Sequence, residues 1–356
     1  MAAIDTSATL TELTMAICDV ESVSGNEKAL ADQIEQTLSA CSHLTLVRDG
    51  NAIIASTSQG KDRVLIAGHI DTVPVAANLP TELHHFEREQ VIFGRGTVDM
   101  KAGVAVMLKL AVELESPSVD ITWIFYDNEE VDSELNGLGR ISRNRPELLK
   151  GSFAVLCEPT SAQVEGGCNG TIRIELSAKG KKAHSARPWM GKNAIHELLP
   201  ALQFLNDYQP AVVEVDGLEY KESLNAVTAN AGIATNVIPD LATLMVNYRF
   251  APDKSAAQAE ELLRQWFQGF DVKVVDAADG ARPGLNTEIA QEFIAATKAS
   301  VNPKYGWTDV ARFSSLGIPA VNYGPGDPSL AHADNENVPV GHIHDCYQGL
   351  KGWLTN

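Results

Sequence analysis

Leu65-Ile66-Ala67-Gly68-His69-Ile70-Asp71-Thr72-Val73-Pro74 decides how this chain folds. An apolar run ends in a His and an Asp two residues apart. Side chains at i and i+2 of a strand share a face, so His69 and Asp71 meet at the strand's carboxyl end. Open α/β sheets gather their sites at that edge. An imidazole with a carboxylate aimed at its second nitrogen is the usual build of a metal-binding His. By itself the pair reads equally well as a satisfied surface contact.

Three further stretches break that tie. Val91-Ile92-Phe93-Gly94-Arg95-Gly96-Thr97-Val98-Asp99-Met100-Lys101-Ala102-Gly103 lacks the spacing of a phosphate loop and places Asp99 either in a loop or at a helix N-cap. Asp120 to Tyr126 reads as a buried strand running into Asp127-Asn128-Glu129-Glu130. Adjacent side chains point apart, so one glutamate can ligate a metal while the other reaches water; the plainer alternative is an acidic turn. Phe153-Ala154-Val155-Leu156-Cys157-Glu158-Pro159 repeats the pattern, with Pro159 disfavouring helix at Glu158. Four apolar strands thus end in carboxylates or a His, which predicts a parallel sheet with ligands along its carboxyl edge. One His with several carboxylates suits Zn²⁺, Mn²⁺ or Co²⁺ and calls for another imidazole. Ala331-His332-Ala333-Asp334-Asn335-Glu336 supplies it.

The bulk properties agree. The 356 residues are 44% hydrophobic and 21% charged, which permits one large domain or two ordinary ones with real cores. With 28 Lys+Arg against 46 Asp+Glu the net charge is −18, which argues against nucleic acid or an anionic membrane as partner. The cysteines Cys18, Cys41, Cys157, Cys168 and Cys346 are odd in number and show no C-x-x-C spacing, as expected of free thiols in the cytoplasm. Residues 1–20 carry Asp5, Glu12 and Asp19 without a basic region or long apolar core, so no signal peptide is expected, and no apolar run reaches membrane-spanning length.

Leu10, Leu13, Ile17 and Val20 predict an amphipathic helix, and Ser24 with Glu27 predicts a capping box for the next one. Asp49-Gly50 between apolar runs predicts a hairpin. From about Gly167 the pattern becomes strand–helix–strand–strand–helix–strand, the split βαβ order. The expected fold is therefore α/β, a mixed sheet flanked by helices (residues 1–167 and 280–356), with an inserted ferredoxin-like α+β domain at 168–279.

The ordered set G-H-x-D-T-V-P, G-x-G-x-x-D-M-K-x-G, E-E, E-P, G-x-x-x-H-S-A-x-P (Gly180–Pro188), N-x-I-P (Asn236–Pro239), T-D (Thr308-Asp309) and A-H-x-x-x-E resembles the dinuclear zinc aminoacylase/carboxypeptidase family along nearly the whole chain. The resemblance implies two zinc ions, replaceable by Co²⁺ or Mn²⁺, bridged by Asp99. His69 and Glu158 would complete one set of protein ligands, and Glu130 and His332 the other. It implies Asp71 as the carboxylate orienting His69, Glu129 as general base, and a cis peptide bond at Asp99-Met100. His184 would be a donor to the oxyanion, reaching the partner subunit's site in dimeric relatives, which implies a homodimer through the inserted domain. Asn236 and Arg249 would bind polar and carboxylate groups of a small N-acyl amino acid, with the backbone around Gly324 lining the pocket. The residue types suit that chemistry: a carboxylate takes a proton from attacking water and returns it to the leaving amine. The stretches around Cys168, His184 and Trp307 are most similar to the actinobacterial desuccinylase branch, which implies N-succinyl-LL-2,6-diaminopimelate as substrate. Deacetylation of acetylornithine or dipeptide cleavage are the alternatives, and a non-catalytic relative would be expected to lack Glu129 or Asp99. One departure stands out. Many desuccinylases carry basic residues where this chain has Cys168-Asn169, which leaves Arg187 or Arg173 to supply that charge.

Overall fold

The computed structural model describes residues 3–86 and 89–356, and the chain divides into two compact units. The first comprises residues up to Gly166 together with Pro283–Asn302 and Arg312–Asn356; the second comprises Gly167–Arg282 and Pro303–Ala311.

Among the described residues the first unit is built on a mixed eight-stranded sheet. Its order is Thr45–Asp49, Ala52–Ser56, Asp120–Tyr126, Arg63–His69, Phe153–Leu156, Ala320–Asn322, Val164–Gly166, Val301–Pro303. The four central strands, Asp120–Tyr126 to Ala320–Asn322, run parallel, with His69 opposite Tyr126 and Ala67 opposite Leu156. These strands are unbroken apolar runs because both faces are covered, the usual condition of parallel sheets. Lys101–Glu113 is a nearly fully buried helix, and it packs against the His69 strand. Gly103 lets it approach: a Cβ there would lie 2.3 Å from the Cys157 carbonyl oxygen.

Two expectations fail here. The strand before Asp99, Glu89–Phe93, is not in the central sheet; it pairs with Glu82–Phe86 and Asn337–Pro339 in a separate three-stranded sheet. Its outer half is exposed, which a strand buried on both faces would not allow. The helix Lys28–Ser39 has no side-chain cap. The Ser24 hydroxyl instead donates to Asp71 Oδ2 at 2.7 Å, and Glu27 Oε1 accepts from the Gly25 amide at 2.7 Å. A real capping box does occur at Thr9 and Glu12, ahead of Leu10–Cys18. Asp49-Gly50 turns a hairpin as expected, with Gly50 at φ +62°.

The second unit has a four-stranded antiparallel sheet in the order Ser223–Ala231, Leu241–Phe250, Gly170–Lys179, Asp271–Ala278. Alternation along these strands buries Ile172, Ile174, Leu176, Leu244, Val246 and Tyr248 in one core with the helix Ala256–Trp266. Thr171, Arg173, Asn247 and Arg249 fall on the opposite face by the same alternation. Pro303–Ala311, expected with the first domain, packs in this unit: the Asn169 amide donates to Lys304 O at 3.1 Å, Cys168 Sγ to Thr308 O at 3.8 Å, and Trp307 Nε1 to Asp279 O at 3.0 Å.

Candidate metal centre

Three neighbouring parallel strands end in His69, in the Asp127–Glu130 turn and in Cys157-Glu158. Parallel pairing puts these ends on one edge, so the local sequence and the topology together bring the donors side by side. Asp99 enters from the loop before Lys101–Glu113, and the Asp99-Met100 peptide is cis. His332 enters from an irregular segment and has φ +65°.

Asp99 divides its carboxylate. Oδ1 lies 3.0 Å from His69 Nε2 and Oδ2 lies 3.3 Å from His332 Nε2. His69 Nε2 is also 4.0 Å from Glu158 Oε1, and His332 Nε2 is 2.9 Å from Glu130 Oε1. Ligand atoms of His69, Asp99 and Glu158 lie within 4.8 Å of one another, and so do those of Asp99, Glu130 and His332. The same holds for His69, Glu129 and Glu130, so Glu129 stands at the edge of the donor set.

Asp71 does more than orient a ring. His69 Nδ1 is 3.1 Å from the Asp71 carbonyl and 3.5 Å from its Oδ1. The carboxylate oxygens instead each accept an amide: Oδ1 from Glu129 at 3.0 Å and Oδ2 from Glu130 at 3.1 Å. The backbone of the acidic turn is thereby fixed to the same group that touches His69.

The electrostatics suit cations. Burial works to lower the proton affinity of His69, but the Asp71 and Asp99 carboxylates outweigh it and hold the ring well above its usual value. Hydrogen bonds to Asp99 and Glu130 push His332 up to about 10, against burial. Burial tends to raise the Asp99 carboxyl, but the two imidazoles hold it well below the usual carboxylate range. Two imidazoles and three carboxylates that converge on one small volume, with one carboxylate shared, form a donor set for two borderline divalent cations. On donor chemistry the residues present fit such a pair.

The remaining expected residues lie elsewhere. His184, Arg187, Asn236 and Arg249 belong to the second unit. There His184 pairs with Val237 in a two-residue ladder, and the Ser185 amide donates to the Asn236 carbonyl at 2.9 Å. His184 Nδ1 accepts from the Ala186 amide at 3.1 Å, which leaves Nε2 as the protonated donor nitrogen of the neutral ring. Arg187 and Asn236 are exposed, and Arg249 is half-buried with its Nε on Asn247 Oδ1 at 3.2 Å. Gly324 is in the first unit, but its backbone is already engaged. Its amide donates to Thr160 Oγ1, and its carbonyl accepts from the Thr160 and Ala162 amides. A Cβ at Gly324 would lie 2.3 Å from the Cys157 carbonyl oxygen, so the bare glycine lets this loop pack against the Glu158 turn. Cys168 and Asn169 are buried in the second unit.

Sequence reasoning passed over Arg95 and Glu336. Both are buried, and Glu336 Oε1 accepts the Val98 and Asp99 amides at 2.9 and 3.1 Å. The signal was Arg95 between two glycines ahead of Asp99, and Glu336 as the closing residue of the A-H-x-x-x-E pattern after His332.

Comparison with known proteins agrees with the geometry. Residues 65–356 match the model of peptidase family M20/M25/M40. The chain is 43% identical to succinyl-diaminopimelate desuccinylase of Corynebacterium glutamicum over 355 residues, covering 96% of this chain and 95% of that one. It is 49% identical over 347 residues to a Mycobacterium tuberculosis protein provisionally named as the same enzyme, covering 96% and 97%. A tripeptidase from Staphylococcus aureus shares the fold with a TM-score of 0.79 at 20% identity, covering 99% of this chain and 98% of that one. A dinuclear metal-binding peptidase from Bacillus subtilis does so with 0.69 at 16%, covering 97% and 96%. With the family model matching most of its length and relatives well above 30% identical, the chain belongs to peptidase family M20/M25/M40.

Proposed function

We propose that this chain hydrolyses the amide bond of N-succinyl-LL-2,6-diaminopimelate, yielding succinate and LL-2,6-diaminopimelate. The observation that carries this reading is the nearly full-length identity to the Corynebacterium glutamicum desuccinylase. The donor set supports its chemistry. In this reading two zinc ions would be held by His69, Asp99 and Glu158 on one side and by Asp99, Glu130 and His332 on the other, with Asp99 common to both groups. Bound there, the cations would polarise the substrate carbonyl and acidify water. Glu129 takes the proton of the attacking water and delivers it to the leaving amine nitrogen. Asp71 keeps Glu129 and Glu130 in place through their amides. His184, with Nε2–H free to donate, stabilises the developing oxyanion.

In the same reading Arg249 receives a substrate carboxylate. Burial, and next the neighbouring Arg173, lower its pKa from the ordinary value, and Asp276 offsets them only in part. A guanidinium in that position gains from an incoming anion. Arg173, which faces Asp276 at 2.8 Å, or Arg187 supplies the second charge that Cys168-Asn169 do not. Arg249→Met is expected to raise KM for the succinyl substrate about 10- to 100-fold, the scale of a charged hydrogen bond, with a smaller change in kcat. An unchanged KM in steady-state kinetics would remove Arg249 from the site.

The first unit is the catalytic domain and the second the dimerisation and lid domain. Exposed Leu199, Val227 and Ile233 in the second unit support a homodimer through it. Five free cysteines support a reducing compartment, the cytoplasm. No helix among the described residues is long and apolar enough to cross a membrane. The deciding experiment is a turnover screen of the purified, zinc-supplemented protein. N-succinyl-diaminopimelate should be cleaved far faster than N-acetylornithine or dipeptides. Good turnover of either alternative beside none of the succinyl compound overturns the substrate assignment.

A further inference from the structure

We propose that the buried ion pair of Arg95 and Glu336 is a positioning clasp that sets the placement of Asp99 against His332. It thereby governs how tightly the Glu130–His332 side of the donor set holds its cation. Arg95 is 3% exposed and Glu336 1%, with Nη1 to Oε2 at 2.9 Å. Each partner stands four residues from a donor, Arg95 before Asp99 and Glu336 after His332. Each also reaches across to the other donor's segment. Glu336 Oε1 accepts the Asp99 amide at 3.1 Å, and Arg95 Nη1 donates at 3.2 Å to the carbonyl of Ala333, next to His332. Arg95 Nε adds a bond of 3.2 Å to the Pro74 carbonyl, in the segment that follows His69 and Asp71. The Gly94 amide donates to the Glu336 carbonyl at 3.0 Å.

His332 needs such help more than the other donors. Its side chain is 54% exposed, whereas His69 is 1% exposed and ends a buried strand. It sits outside any helix or strand, at positive φ. Its ring meets Asp99 and Glu130, carboxylates of the donor set itself, so its backbone must carry its placement. A buried ion pair is weak support for stability as such, because an apolar pair of similar volume often does as well. Its position, at the crossing of three segments that carry donors, argues for a role in geometry. Partners one bond removed from a ligand typically alter metal affinity by about 10- to 100-fold.

The inference rests on the two-cation reading, and one titration separates the two. Metal-free wild type, Arg95→Met and Arg95→Met/Glu336→Gln are titrated with zinc by calorimetry, and each metal-free melting temperature is recorded. Wild type should bind two zinc ions per chain; fewer than two overturns the cation reading and the clasp with it. In both variants the first affinity should stay within about threefold, while the second falls about 10- to 100-fold. The double variant leaves no lone buried charge and keeps an oxygen for the Val98 and Asp99 amides. Its melting temperature should return toward wild type while the second affinity stays low. Recovery of affinity together with stability, equal weakening of both affinities, or no weakening overturns the clasp. Glu336→Gln alone, which keeps the amide acceptor, is the milder variant should Arg95→Met not fold, and the same order of effects is expected of it.

Discussion

Glu129→Gln lowers kcat by about 10²- to 10⁴-fold, the usual worth of a positioned general base, while the cation content of the protein stays at the wild-type level. The amide keeps the volume and polarity of the side chain but cannot take a proton from water. Glu129 stands outside the two donor groups that contain Asp99, yet its oxygen lies within 4.8 Å of the ligand atoms of His69 and Glu130. Elemental analysis beside kinetics therefore decides its role. Lost activity with intact cation content marks a base. Lost activity with lost cation content makes Glu129 a ligand and overturns its assignment as the base.

Asp99→Ala is expected to be as damaging, with a different signature. Asp99 is the group whose two oxygens face both imidazoles, so its removal takes a donor from both cations at once. Zinc stoichiometry should fall below two per chain and activity by about 10³-fold or more, on the scale of several kcal/mol at about 1.4 kcal/mol per tenfold. Stability should fall in both states. Without cations, Asp99 lies between the rings of His69 and His332, whose charges, against burial, hold its carboxyl well below the usual range, so deleting it removes that attraction. The metal-free melting temperature should therefore fall. The increase that zinc produces in wild type, a binding-linkage effect, should largely vanish in the variant. Calorimetric scans of both proteins with and without zinc check this. An equal zinc-induced increase in both would show that Asp99 is not shared.

The sequence made the donors legible because of burial. Strands covered on both faces must be apolar throughout, so a carboxylate or imidazole at their ends stands out. His69, Glu129, Glu130 and Glu158 are all visible this way. What escaped were pairings set by distant chain. Glu89–Phe93 joins Asn337–Pro339, far along the sequence, and its short apolar half looks the same in either sheet. Ser24 and Glu27 have the spacing of a capping box, but the Ser24 amide donates to the Thr72 carbonyl and its hydroxyl to Asp71, and only the fold brings these near. Glu336 closes the A-H-x-x-x-E pattern, but nothing in the sequence pairs it with Arg95, 241 residues away. Another miss was avoidable: Asp216-Gly217, at φ +50° and +87°, turns the hairpin Val212–Val215 with Leu218–Lys221 and carries a standard Asp-Gly turn signal.

All five proposed cation donors come from the first unit, and none lies between Gly167 and Arg282. The residues proposed to recognise the substrate, His184, Asn236 and Arg249, all lie inside that interval. On that proposal the chain separates inheritance of the reaction from inheritance of its selectivity. Changes within the inserted segment can alter which acyl group is accepted without touching a donor, so one hydrolytic centre can persist while its clientele diverges.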